Sequence, residues 1–280
     1  MNPEKYLFYK RNPKEKFVIL ILVIALIEFL VILNNQFYQS DSFLCIQQKS
    51  NLSLTFDVSE IQSQNIKEFL EYGEKTDKTF RHHYETIYGN LLGPLRNKKL
   101  NFLEIGLGCG MHQVYKNYPP GISLELWRRY LPKANISIFE YDETCASKFK
   151  DRVENMFIGD QTNIGFVQSI GKKYGPFDFI VDDGCHSRTC QINALVGFWP
   201  HVKSKGIYLM EDIIHSFEGG KSTSLDLIFQ IIVLFNQPTI SSNLNLNQDN
   251  TIPINKYASD IVNDLESIHC YSHACAFIKK

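Results

Sequence analysis

Leu103-Glu104-Ile105-Gly106-Leu107-Gly108-Cys109-Gly110 is an apolar strand that runs straight into three glycines spaced GxGxG. Glycines at such a junction let the chain turn sharply and let a ligand lie against bare backbone beyond the strand's carboxyl end. A dinucleotide fold calls for GxGxxG opening a helix; here the spacing is one residue shorter and an acid, Glu104, precedes it. A plain tight turn is the competing reading of the glycines alone. Outward from this stretch, the apolar runs NFLEIG, ISIFEYD, MFIGD, FDFIVDDG and GIYLMEDI alternate with amphipathic segments such as SLELWRRYLP and 187–201. Strands alternating with helix-period segments build βαβ units and a parallel sheet covered on both faces. The expected architecture is a doubly wound, mostly parallel α/β sheet. Helices are expected at 224–235 and 256–265, and the tail SIHCYSHACAFIKK alternates like a closing antiparallel hairpin.

The second run ends Ile138-Phe139-Glu140-Tyr141-Asp142, where an acid in a nucleotide-binding α/β sheet accepts hydrogen bonds from ribose hydroxyls. Glu140 is the candidate. The third run ends Gly159-Asp160-Gln161, which sets Asp160 toward an adenine, although carboxylates at strand ends are common on surfaces. Gly106, Gly108 and Gly110 preceded by Glu104 suit a nucleoside carrying an aminoacyl tail, as in S-adenosylmethionine. The fourth and fifth runs end Asp182-Asp183-Gly184-Cys185-His186 and Glu211-Asp212. If these strands are parallel neighbours, the carboxylates and His186 converge on the sheet's carboxyl edge and repel one another unless a cation sits among them. Mg²⁺ prefers near-octahedral oxygen ligation, so Asp183, Glu211 and Asp212 read as metal ligands. Turn and helix-cap carboxylates are the competing reading.

The ordered set KTDK (75–78), HHY (82–84), LEIGLGCG, GISLELWRRYLP (121–132), GDQTN (159–163), DFIVDDGCH and GIYLMEDI followed by His215 resembles the macrolide-sugar O-methyltransferases of the mycinamicin and demethylmacrocin type, over residues 76–280. That resemblance implies a seven-stranded, Rossmann-like class I methyltransferase using S-adenosylmethionine, with Mg²⁺ orienting vicinal hydroxyls of a sugar. It implies Asp183, Glu211 and Asp212 as metal ligands and His186 as base, with Ser123 and Asp182 completing the cofactor-binding set. Two departures matter: Cys185 stands where the family usually has Ser, and a glycine pair is reduced to Pro120-Gly121. The macrolide itself does not carry over, so the expected acceptor is a small-molecule or glycan hydroxyl. A nicotinamide-dependent oxidoreductase and a non-catalytic binding domain of the same fold are the rival readings.

With 29 basic and 30 acidic side chains the chain has no overall positive field, which disfavours nucleic acid as a partner. Its seven cysteines show no zinc-type spacing; Cys185 with Cys190 and Cys270 with Cys275 are conceivable disulfide partners. Residues 17–33, FVILILVIALIEFLVIL, follow a basic flank and carry Glu28 as their sole charge. They are long enough to cross a thin bilayer, and the positive-inside rule puts the N-terminus in the cytosol. The expectation is a single-pass type II glycoprotein: cytosolic tail 1–16, anchor 17–33, stem 34–75 with a helix near 59–72, and a catalytic domain 76–280 in the ER or Golgi lumen. Sequons at Asn51 and Asn135 weakly favour that placement. An oligomer is compatible with the sequence.

Overall fold

The computed structural model describes residues 58–111, 116, 118–213, 223–236 and 254–280. The chain divides into two units, Met1–Thr55, outside the described residues, and Phe56–Lys280. Strands β1 (Asn101–Ile105), β2 (Asn135–Glu140), β3 (Asn155–Ile158), β4 (Phe177–Asp182) and β5 (Val202–Met210) fall on the five apolar runs. The tail forms the hairpin β6 (Leu265–Tyr271) and β7 (Ala274–Lys279). Together they make a seven-stranded sheet of order β3-β2-β1-β4-β5-β7-β6. Strands β1 to β5 pair in parallel, and β7 runs antiparallel to both of its neighbours.

Strand alternation sorts the side chains between two cores. Along β1, Phe102 joins one core and Leu103 and Ile105 the other. The first core lies under α1 (Val58–Gly73), α3 (Glu85–Leu92) and α4 (Ile122–Tyr130), where Phe69, Tyr84, Tyr88, Trp127 and Tyr130 are buried. A short α2 (Asp77–Phe80) lies between α1 and α3, and α5 (Glu143–Ala146) follows β2. The second core lies under α6 (Ile164–Tyr174), α7 (Arg188–Phe198), α8 (Ser224–Asn236) and α9 (Ile254–Asn263). The helix expected near 59–72 is α1, and it packs against α3 and α4: Phe69 stacks on Tyr88 with centroids 4.8 Å apart and meets the Tyr130 ring edge-on at 5.2 Å.

The cysteines pair as Cys109–Cys145, Cys185–Cys190 and Cys270–Cys275. The last two are the conceivable partners named from spacing. The first joins the glycine loop to α5, across residues distant in sequence.

The expected placement as a single-pass membrane protein with a lumenal domain is corrected. No helix among the described residues is long and apolar enough to cross a membrane. The longest described helix, Val58–Gly73, has 16 residues, short of the ~20 that a membrane span needs, and the expected span 17–33 lies outside the described residues.

Because Phe69 fills the aromatic cluster, Phe69→Ala should lower unfolding stability by about 3–5 kcal/mol, the usual cost of deleting a buried ring. Urea denaturation of the whole chain measures this. A loss below about 1 kcal/mol would mean that α1 does not contribute to the core as described.

Candidate active site

Parallel register decides which acids meet. Glu104 lies beside Val181, and Val181 beside Leu209, so alternation carries Asp183 and Glu211, each two residues on, to the same face as Glu104. That face lies under α1 to α4. There Lys78, from α2 and only 1% exposed, sends its ammonium 2.5 Å from Asp183 Oδ2, 2.8 Å from Glu211 Oε2 and 4.0 Å from Glu104 Oε1. Burial works against this cation, but Asp183 and Glu211 outweigh it and hold its pKa well above the usual lysine value. The second oxygen of Glu211 accepts a short bond from the Tyr88 hydroxyl, so both of its oxygens are engaged beneath the surface. Ser123 donates to Glu104 Oε2 at 3.0 Å, and burial raises the Glu104 carboxyl to about 7.

Above Lys78 the rim opens into a cavity of about 730 Å³. Asp183, His186 and Asp212 line it, each offering a ligand atom, and these atoms all lie within 4.8 Å of one another. His186 Nε2 stands 3.7 Å from Asp183 Oδ1 and 3.7 Å from Asp212 Oδ2. On Asp212 the other oxygen is occupied: the Tyr84 hydroxyl donates to Oδ1 at 2.7 Å, and His82 Nδ1 lies 3.4 Å away. Burial holds His82 below the usual histidine pKa despite Asp212, so its ring is neutral near pH 7. Two carboxylate oxygens facing one space fit a divalent cation, and the imidazole nitrogen beside them stands within reach of a group bound there. Glu211 is not in the cavity wall.

His186 and Asp212 both have positive φ, +50° in each case. For residues with a Cβ this left-handed conformation is uncommon and clusters at functional positions. The Cys185–Cys190 disulfide ties the loop bearing His186 to the first turn of α7, whose N-cap Ser187 accepts the Cys190 N–H.

At the other end of the cavity lie the glycines. Gly106 has φ +93°, and a Cβ there would stand 2.1 Å from the Asp183 carbonyl oxygen, so the β1 and β4 loops pass each other only because this residue has no side chain. Glu140 accepts the N–H of Leu107 through Oε2 and those of Tyr141 and Asp142 through Oε1, which fixes its carboxylate at the cavity wall. Gly108, Gly110, Ser123 and the exposed Asp160 also line the cavity. A bare backbone floor beside an anchored carboxylate fits the nucleoside of S-adenosylmethionine.

Asp182 lies on the opposite face of the sheet, fully buried beneath this floor. It accepts from Gln161 Nε2 at 2.7 Å and from the Tyr208 hydroxyl at 2.6 Å. Gln161 in turn accepts the N–H of Cys185 at 3.1 Å, so this pair supports the His186 loop from below. Lys78, His82, Tyr84, Tyr88 and Gln161 carried no role in the sequence reading. The motifs of all but Tyr88, namely KTDK, HHY and GDQTN, were visible in it. His215 lies outside the described residues.

Fold and sequence relate the chain to the class I S-adenosylmethionine-dependent O-methyltransferases. The structure superposes on the MycE methyltransferase of the mycinamycin biosynthetic pathway in complex with Mg and SAH with a TM-score of 0.59 and 24% identity, covering 77% of this chain and 54% of that one. In sequence it is 26% identical over 212 residues to the mycinamicin VI 2''-O-methyltransferase of Micromonospora griseorubida, covering 72% of this chain and 49% of that protein. It is 30% identical over 139 residues to the L-olivosyl-oleandolide 3-O-methyltransferase of Streptomyces antibioticus, covering 50% of this chain and 34% of that protein. The chain thus spans half or less of the length of these curated relatives. No family model matches it.

Burial raises the Asp182 carboxyl from the usual 3.8 to about 7, even though the bonds from Tyr208 and Gln161 favour its charged form. The folded chain therefore holds a proton that the unfolded chain releases near pH 4. Stability from this group is full below that pH and is lost as pH rises through about 7. Asp182→Asn, whose amide can donate to the Tyr208 oxygen, should flatten the fall in melting temperature between pH 5 and pH 8. Parallel melting profiles for the two proteins would rule this out.

Proposed function

We propose that the chain is a divalent-cation-dependent O-methyltransferase that moves a methyl group from S-adenosylmethionine to a hydroxyl of a sugar or glycan-like acceptor bearing vicinal oxygens. The observation that carries this reading is the single cavity shared by the glycine loop, Glu140 and the Asp183–His186–Asp212 cluster. Its resemblance to sugar O-methyltransferases supports the acceptor class.

When bound, the sulfonium supplies the methyl electrophile and Mg²⁺ supplies Lewis acidity toward the acceptor hydroxyl. Glu104, Gly106, Gly108, Gly110, Ser123, Glu140, Asp160 and Asp182 hold or support the donor, with Glu140 on the ribose. Asp183 and Asp212 would hold the cation, each through one carboxylate oxygen, and Glu211 backs Asp183 through Lys78. His186 Nε2 takes the hydroxyl proton as the acceptor oxygen bonds to the methyl carbon and the carbon–sulfur bond breaks, leaving a thioether. An imidazole nitrogen is the side-chain group best suited to accept a proton near neutral pH. The rest of the contribution is orientation of oxygen and methyl in line.

Incubation of the chain with Mg²⁺, methyl-labelled S-adenosylmethionine and glycosides carrying adjacent hydroxyls should transfer label to the acceptor and release S-adenosylhomocysteine. His186→Ala should cut turnover by about 100-fold or more while leaving S-adenosylhomocysteine affinity within about threefold. Glu140→Ala should do the converse at the donor, weakening that affinity by about tenfold or more, since it removes a charge-assisted bond. If calorimetry detects neither S-adenosylhomocysteine nor Mg²⁺ binding to the folded chain, the reading is wrong.

A further inference from the structure

Lys78, at the end of the KTDK motif, is the least expected group in the site. A lysine ammonium that is 1% exposed is rare, because a buried charge costs several kcal/mol unless paired. One of its partners, Asp183, is also an acid that the proposed reaction assigns to a second cation. Asp183 gives Oδ2 to Lys78 and turns Oδ1 toward His186 and the cavity. Glu211 gives Oε2 to Lys78 and Oε1 to Tyr88, and so faces away from the cavity. The ammonium and any cation in the cavity would therefore be separated by a single carboxylate.

We infer that Lys78 is a permanent internal cation of the metal site: it competes electrostatically with the divalent ion, weakens ion binding, and holds Asp183 with one oxygen turned inward and one outward. This inference rests on the cation site proposed above. The reasoning is Coulombic. Charges a few ångströms apart in a partly buried setting interact by several kcal/mol before screening, so a fixed +1 behind Asp183 opposes a +2 in front of it. The same ammonium keeps the acids from repelling one another when no ion is bound, so the rim does not depend on the ion for its shape. Its function is that of a positioning residue: it acts on the acceptor only through Asp183 and the ion.

The test is calorimetric titration of Mg²⁺ and Mn²⁺ into the full chain, with thermal melts at each ion concentration. Lys78→Met should bind either ion at least about tenfold more tightly than the wild type, melt lower without ion, and recover as ion is added. Turnover should fall despite the tighter binding, because Asp183 loses its inner anchor. A lysine with a purely structural role would lower melting temperature and leave ion affinity equal or weaker. Since the single variant leaves Glu211 without its cation, the comparison is repeated in the Glu211→Gln background. There too, adding Lys78→Met should tighten ion binding by at least about tenfold. Equal or weaker ion binding on removing Lys78, in either background, overturns the inference. Failure of the wild type to bind either ion overturns the metal reading of the site instead, so the two failures are distinguishable.

Discussion

One constraint governs this molecule: parallel strands in register, combined with side chains that alternate between faces, force Glu104, Asp183 and Glu211 onto the same side of the sheet. Three buried or half-buried carboxylates in one place cannot coexist in the charged state without a partner. The fold supplies it by inserting Lys78 from α2, with Trp127 beneath it 5.9 Å from the ammonium to the ring centroid. Tyr84 and Tyr88 then tie Asp212 and Glu211 to the same helical layer. The helices before β1 therefore do more than cover apolar surface. They provide the charges and hydroxyls that define which oxygens remain available at the rim.

On the other face the chain meets the same difficulty differently. Asp182 has no cation beside it; two neutral donors, Tyr208 and Gln161, share its oxygens, and burial moves its pKa up. The contrast is informative because Asp182 and Asp183 are adjacent in sequence. One faces a layer that brings an ammonium and an opening, the other a layer of Phe, Ile and Leu that brings neither. Adjacent aspartates thus acquire opposite roles: Asp183 is a rim residue paired with Lys78 and Asp182 a support beneath the loop that carries His186.

The sheet was legible because each of β1 to β5 is an apolar run ending in glycine or acid, and those endings are the positions where a parallel sheet binds ligands. Glu140 and the Asp183–His186–Asp212 cluster were legible for the same reason. Glu211 was expected to face a cation beside Asp212, and instead both of its oxygens are taken by Lys78 and Tyr88. Nothing in the DI and ED dipeptides reveals that, since it depends on a lysine 133 residues away in the chain. Likewise Cys109 and Cys145 are 36 residues apart with no motif to join them, while the pairs separated by 5 residues could be named from spacing. Local pattern reveals strand ends; it does not reveal which helix is laid across them.

The rim also carries strain that the surroundings have to support. His186 and Asp212 both adopt left-handed backbone conformations, each costing on the order of 1–3 kcal/mol for a residue with a side chain. Each has its own brace. The His186 loop is held by the Cys185–Cys190 disulfide and by Gln161 from below, and Asp212 by Tyr84, which both donates to its carboxylate and accepts its backbone N–H. Without that strain the imidazole and the Asp212 carboxylate would follow the strand direction and diverge. With it, Nε2 stands 3.7 Å from Asp183 Oδ1 and 3.7 Å from Asp212 Oδ2. Methyl transfer draws its rate mainly from alignment of the attacking oxygen, so a braced and strained rim is the form of site that reaction would require.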